Sequence, residues 1–310
     1  MAQSTLSLDR QALLNAEKSR YSARQVANQF VAGLLLALTV ISVLLLVSIV
    51  LVVATQGLST IFPTVDGHIT FNTDYFTKTG VPGGSTERGG VLNGIVGTLE
   101  MLLLGAVIAV PIGLGTAIYL SEYGTGRLAN VVRFIIDLLA GLPSVLVGLF
   151  ILLTLINSHI INNSGLAGAL GLAIIIIPIV ASSVESILQL VPNELREAGY
   201  ALGMPQWRVV LQIVIPTVLP GVITGVILAL ARAAGETAPL LLTTAGSQLF
   251  LNFDLTKPMT ALTLQIYEYA TSPYDEQHGL AWANALLLIS IIAMISAAVR
   301  YITRREQYDS

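Results

Sequence analysis

Stretches of twenty or more residues with scarcely a charge recur along this 310-residue chain, and no other feature constrains its fold so tightly. A hydrocarbon core of about 30 Å takes about 20 residues of helix rising 1.5 Å each, and a lone segment there must satisfy its own backbone. Six such spans are read at 31–54, 92–120, 132–157, 166–190, 217–245 and 280–302. The expected fold is an all-α polytopic membrane protein of six transmembrane helices, with segment 1–30 before the 31–302 membrane domain and a tail at 303–310. Apolar residues make up 54% of the chain and charged residues 11%, which leaves little for a soluble domain. The first apolar run is longer than a signal-peptide core and follows a polar stretch, so it reads as a retained span.

The basic residues orient the spans. Arg10, Lys18, Arg20 and Arg24 precede the first, Arg127 and Arg133 flank the start of the third, Arg196 and Arg208 follow the fourth, and Arg300, Arg304 and Arg305 end the chain. The opposite side holds only Lys78, Arg88 and Lys257, eleven against three, which puts both termini in the cytoplasm of a cell whose inner membrane the protein crosses. A net charge of −3 suggests no nucleic acid partner, and the absence of cysteine removes disulfides, thiolate chemistry and Cys-bound metals. Two longer segments are outer: residues 56–90, rich in Gly, Thr and Pro, and residues 246–279. In the second, the stretch around Tyr267 and Tyr269 is expected to form a short interfacial helix with both rings at headgroup level.

Charges inside the spans call for a reason, because each costs several kcal/mol in hydrocarbon. Arg232 and Glu236, in "ALARAAGETAPLLL", stand one turn apart, so on a continuous helix they share a face. Pro216 and Pro220 are expected to break the long apolar stretch 209–245, leaving 209–215 at the interface and placing Arg232 deep in the fifth span. Arg133 and Asp137, also four apart, are expected to pair; Glu185 lies near an interface, and Glu100 has no evident partner. "GLPSVLVG" interrupts the third span at Pro143 and Ser144, by a packing kink or by a pore lining. Ser144, Arg232 and Glu236 are the candidate lining of a substrate path.

Residues 192–216 carry the most specific pattern: Glu197, Ala198 and Gly203, then Ile213 and Pro216, in "PNELREAGYALGMPQWRVVLQIVIP". A short helix, a glycine tolerant of positive φ, and a second helix opened by Pro205 would make a rigid hairpin, with Tyr200 and Trp207 as anchors for a partner's groove. This spacing resembles the cytoplasmic coupling loop of ABC-importer permeases, with Gly199 in place of an alanine and Ile215 in place of a leucine. "LPSVLVGLF", "ALARAAGETAPLL" and "MTALTLQIYEYATSP" are similar to signatures of the PstA-type permease of phosphate-specific transport systems. The resemblance implies a type I importer fold and phosphate import. Its implied partners are a second, PstC-like permease as heterodimer, two ATP-binding subunits that carry ATP and Mg, and an external phosphate-binding protein.

In the resemblance, Glu197, Ala198, Tyr200, Gly203, Trp207 and Pro216 couple the chain to its ATPase, and Arg232 meets phosphate. The chain itself shows no HExxH, GxSxG or phosphate-binding glycine loop, so it is expected to hold no cofactor and to be no enzyme. An intramembrane acid–base enzyme using Glu236 or Asp137, or a permease for another oxyanion or small solute, are the alternative readings.

Overall fold

The computed structural model describes residues 2–65, 68–85, 89–246 and 250–306; the side chains of residues 2–24, 26, 27, 299, 300 and 302–306 are outside the described set. Arg88 lies outside the described residues, as do the side chains of the basic residues flanking both ends. Two compact units divide the chain, Met1–Thr55 and Gln56–Ser310. The first is part of α1, a single helix over Ala2–Ile61, so the expected segment 1–30 continues the helix of the first span.

The second unit runs through a small hairpin, β1 (Thr64–Val65) and β2 (His68–Ile69), and then helices α2 (Thr73–Thr77), α3 (Leu92–Ile118), α4 (Arg127–Gly141) and α5 (Ser144–Ile151). It continues as α6 (Gly165–Leu188), α7 (Asn193–Ala201), α8 (Gln206–Val209), α9 (Ile215–Ala234), α10 (Ala238–Thr243), α11 (Leu262–Ala270) and α12 (Asp275–Glu306). Wider π-turns end α3 (Tyr119–Tyr123) and α5 (Leu152–Ile156) and join α8 to α9 (Val210–Val214). Among the described residues five helices are long and apolar enough to cross a membrane, at Asn28–Ile61, Leu92–Tyr123, Gly165–Leu188, Gln206–Ala234 and Asp275–Ala298. A sixth span arises if Arg127–Gly141 and Ser144–Ile156 count as one, bent by 101° at Leu142–Pro143.

The centre of this unit is the pairing of α3 with α6. Gly97, Met101, Gly105, Ala109, Gly113 and Ala117 are buried at every fourth position of α3, a narrow stripe of mostly small residues. Such a stripe lets two backbones approach closely, where dispersion and weak backbone contacts replace the absent hydrophobic drive in lipid. A Cβ on Gly105 would lie 3.1 Å from the Ala169 carbonyl oxygen, and one on Gly113 only 2.8 Å from the Val180 Cβ.

Two expectations about the fifth span fail. Pro216 and Pro220 do not interrupt it: α8, the π-turn and α9 form one continuous helix over Gln206–Ala234. Pro216 falls in the first turn of α9, just after the π-turn, and Thr217 Oγ1 donates to the Ile213 carbonyl at 2.7 Å. The local π adjustment lets the helix run on past a residue that has no N–H. The break comes later, at Gly235–Thr237, and α10 restarts with Pro239 in its first turn.

On the face that carries α2 and α11, four buried polar side chains form a continuous chain of hydrogen bonds. Tyr75 OH donates to Asn284 Oδ1 at 2.9 Å, Asn284 Nδ2 to Gln265 Oε1 at 3.3 Å, and Gln265 Nε2 to Asn93 Oδ1 at 2.8 Å. The Gly80 amide adds a bond of 3.3 Å to Asn93 Oδ1, so α2, α3, α11 and α12 are tied together without a charge. Of the two tyrosines expected at headgroup level, Tyr267 is exposed but Tyr269 is buried, because one face of α11 turns into the core.

Candidate functional site: an intramembrane cavity and an exposed hairpin

The sharp bend between α4 and α5 opens a cavity of about 730 Å³ between that bend, α6 and α9. Ser144 at the start of α5, Ser182 and Ser183 on α6, Arg232 at the end of α9 and Glu236 just beyond it all line it, with Pro143 and Pro178 between them. The path residues picked out in the sequence therefore meet in one place. Arg232 occupies the last turn of α9, where a cation faces the negative end of the helix dipole, and its side chain is exposed to the cavity.

The geometry corrects the shared helix face expected of Arg232 and Glu236. The helix ends at Ala234, with the Gly235 and Glu236 amides closing tight turns onto Arg232 and Ala233 carbonyls at 3.1 Å each. Glu236 is thus in the break rather than one turn further along the same face. Among the described residues no ion pair within 4.0 Å holds Arg232, and the backbone carbonyl of Glu236 accepts from Thr263 Oγ1 at 3.0 Å. The cavity holds a cation and a carboxylate that are not bonded to each other.

Arg133 does not pair with Asp137. Its Nη2 reaches Glu185 of α6 at 2.6 Å, a cross-helix ion pair that also accounts for Glu185. One carboxyl oxygen of Glu100 is buried with no hydrogen-bond partner within the described chain.

The segment after α6 folds as the expected hairpin. Helix α7 ends in a left-handed turn: Gly203 has φ of +76°, its amide donates to the Tyr200 carbonyl at 2.9 Å and that of Met204 to the Gly199 carbonyl at 3.2 Å. These two bonds close a Schellman cap, which needs a residue free to take positive φ. Pro205 then serves as N-cap of α8. Gly199 has its own reason, since a Cβ there would lie 2.8 Å from Ile213 Cδ1 and 2.9 Å from Val209 Cγ2, where the two arms close on each other. Glu197, Ala198, Tyr200, Gly203, Trp207 and Pro216 are all exposed. Leu202 is 81% exposed at the tip and Trp207 53%, the latter with the Arg208 guanidinium 5.3 Å from its ring centroid. Large apolar side chains held out on a rigid turn make a docking knob.

Sequence reasoning missed what holds this knob in place. Arg196 of α7 bonds Glu122, in the π-turn that ends α3, through both Nε (3.1 Å) and Nη2 (2.7 Å). Both side chains are largely buried, and the hydrogen bonds with Glu122 keep the Arg196 guanidinium pKa above its already high ordinary value. The two residues are 74 positions apart, so no local spacing announced them.

Spans packed through small residues, an intramembrane cavity with a cation, and an exposed hairpin define a multi-span transport subunit of the inner membrane. Residues 88–308 match the model for the binding-protein-dependent transport system inner membrane component, and the chain belongs to that family. It is similar to the "phosphate transport system permease protein PstA" of Yersinia pestis, 36% identical with 96% of each chain covered. The protein of the same name from Haemophilus influenzae is 38% identical, with 91% of this chain and 95% of that one covered. For the one from Pasteurella multocida the identity is 41%, over 73% of this chain and 79% of the other.

The fold is that of the MetNI methionine ABC transporter in an inward-facing conformation, with a TM-score of 0.58, 22% identity, and 69% of this chain and 95% of that chain covered. An amino acid ABC transporter chain matches with a TM-score of 0.53 at 20% identity, covering 69% of this chain and 92% of the other. The chain is a permease subunit and not itself an enzyme.

Proposed function

We propose that the chain is the permease subunit through which inorganic phosphate enters the cell, driven by a separate ATP-binding subunit docked on its hairpin. The observation that carries this reading is Arg232, a cation with no ion pair among the described residues, facing a cavity between spans in a chain 36% identical to a phosphate permease. Phosphate is an anion at neutral pH and must exchange its hydration for fixed donors on its way through. A guanidinium is always charged and presents planar donors matched to phosphate oxygens. Glu236, in the same cavity, keeps the local field from being purely positive, which favours release as well as entry.

The partners follow from the same reading. A second, PstC-like permease forms a heterodimer with this chain and supplies the facing wall of the path. Two ATP-binding subunits hold ATP and Mg and engage Glu197, Ala198, Tyr200, Gly203 and Trp207, with Pro216 seating the hairpin on α9. An external phosphate-binding protein delivers the anion to the face opposite the hairpin.

The test is an uptake panel of radiolabelled phosphate, sulfate and molybdate in a deletion strain, with complex recovery measured beside it. Arg232→Gln is expected to assemble and to lose phosphate import, and Arg232→Lys to keep at most part of it. Arg232→Leu with Glu236→Leu removes both charges, which a merely structural pair of residues tolerates and an anion path does not. Wild-type phosphate uptake by that assembled double variant would overturn the proposal, as would a preference for sulfate or molybdate in the unaltered chain.

A further inference from the structure

The guanidinium of Arg196 uses every N–H it has. Beyond the two bonds to the Glu122 carboxylate, Nη1 donates to the Val191 carbonyl at 2.5 Å and to Asn193 Oδ1 at 3.4 Å, and Nη2 to the Leu188 carbonyl at 3.0 Å. A guanidinium has five N–H donors in a planar fork, and all are taken. Leu188 is the last residue of α6, and helix-end carbonyls of this kind have no partner within their own helix. One side chain on α7 therefore grips the end of α6 and the end of α3 together. The other arm of the hairpin holds the same point, because Gln206 Nε2 of α8 donates to the Glu122 backbone carbonyl at 2.7 Å, while Ser121 Oγ donates to Glu122 Oε1 at 3.0 Å.

The hairpin thus has three connections to the membrane domain. Two are covalent, one from α6 through residues 189–192 into α7 and one from α8 through the π-turn Val210–Val214 into α9 and on to Arg232. The third is this joint, which clamps the short α6–α7 link and adds α3. α6 carries Pro178, Ser182 and Ser183 of the cavity wall within its last turns, and α3 is seated along α6 through its stripe of small residues. A displacement of α7 cannot leave α3 behind while Arg196 keeps its bonds, and the bonds to the Leu188 and Val191 carbonyls stiffen the short covalent link to α6.

We propose that Arg196 and Glu122 form the positioning joint by which the hairpin moves α6 and α3, so that the cavity wall opposite Arg232 shifts in step with the ATP-binding subunit. This rests on the reading of the hairpin as the docking site for that subunit. The joint's contribution is to coupling and not to docking, because the exposed knob of Leu202 and Trp207 is separate from the largely buried pair. Lysine cannot replace Arg196, since a single ammonium does not reach two carbonyls and both carboxylate oxygens in one plane.

The experiment measures phosphate uptake and ATP hydrolysis in the same proteoliposomes, using the complete complex, and reads the number of phosphates moved per ATP. Arg196→Ala, Arg196→Lys and Glu122→Ala are expected to assemble and to hydrolyse ATP near the wild-type rate. Their transport per ATP is expected to fall by about tenfold, a usual size for coupling between sites. If Arg196→Ala is not recovered as a complex, Glu122→Gln, which keeps the side-chain volume and the backbone acceptor for Gln206, is expected to show the same change in smaller measure. An assembled Arg196→Ala or Glu122→Gln complex with the wild-type ratio overturns the joint, and so does a proportionate loss of both activities. Gly203→Val, outside the joint, separates the two ideas. If it abolishes transport while Arg196→Ala keeps the ratio, only the joint fails; if neither change matters, the docking role of the hairpin fails with it.

Discussion

A side chain at position 203 would touch nothing, since no atom lies within 4 Å of where its Cβ would sit. The demand for glycine there is purely conformational: φ of +76° closes the cap of α7 and sets the angle between the arms of the hairpin. Gly203→Val is expected to cost on the order of 1–3 kcal/mol of local strain and to end phosphate uptake by misaiming the knob, with the protein still inserted. Gly203→Asn, which tolerates a left-handed backbone, is expected to retain most uptake. Uptake assays on both variants, beside their membrane levels, decide the point, and equal activity of the two would remove the conformational argument. This requirement was legible in the sequence because a glycine followed by Met-Pro between two short helices has few other uses. Arg232 and Glu236 were legible as residues, since charges stand out among alanines and leucines. Their geometry was not, because whether a helix persists through "GETAP" depends on the contacts of Pro239 and Leu240 with α5 and α6.

At the scale of elements, the spacing of the glycines on α3 sorts them by task. Gly113 faces α6, where a Cβ would meet Val180 at 2.8 Å, whereas Gly115 has nothing within 4 Å. Gly113→Val is expected to force the α3–α6 pair apart at a cost of about 1–3 kcal/mol, the usual penalty of overpacking a filled interface. Gly115→Val is expected to leave the thermal midpoint of the purified complex unchanged. Thermal unfolding of the two variants checks this, and a similar fall for both would place the close contact elsewhere. The six apolar stretches were readable because length and hydropathy alone decide whether a helix can cross a bilayer. What could not be read was how each helix tolerates its irregularities. Pro216 looked like a break, and the π-turn before it made the helix continuous. Arg133 and Asp137 looked like partners by spacing, and a carboxylate 52 positions away was nearer.

For the molecule as a whole, the hairpin and the polar chain of Tyr75, Asn93, Gln265 and Asn284 belong to opposite faces in the proposed orientation. Because the chain has no cysteine of its own, single cysteines report topology without background. Cysteines placed at Ser4 and at Leu202 are expected to resist an impermeant maleimide in intact cells and to react once the membrane is opened, while one at Ser85 reacts from outside. Labelling of Leu202→Cys in intact cells would invert the topology and, with it, the assignment of the hairpin to the ATPase.

The two faces are also held by different kinds of bond, and this bears on the surroundings a cell can live in. The joint at Glu122 and Arg196 is an ion pair, and in the proposed orientation it lies on the cytoplasmic side. The joint on the opposite face consists only of amides and a phenol, and burial pushes the Tyr75 hydroxyl pKa above its ordinary value. Neutral hydrogen bonds of this sort are indifferent to acid or mild alkali outside. In the proposed orientation, a cell drawing phosphate from soil, gut or sea would keep these outward-facing hydrogen bonds to the same degree in each, and would owe that tolerance to four residues that carry no charge.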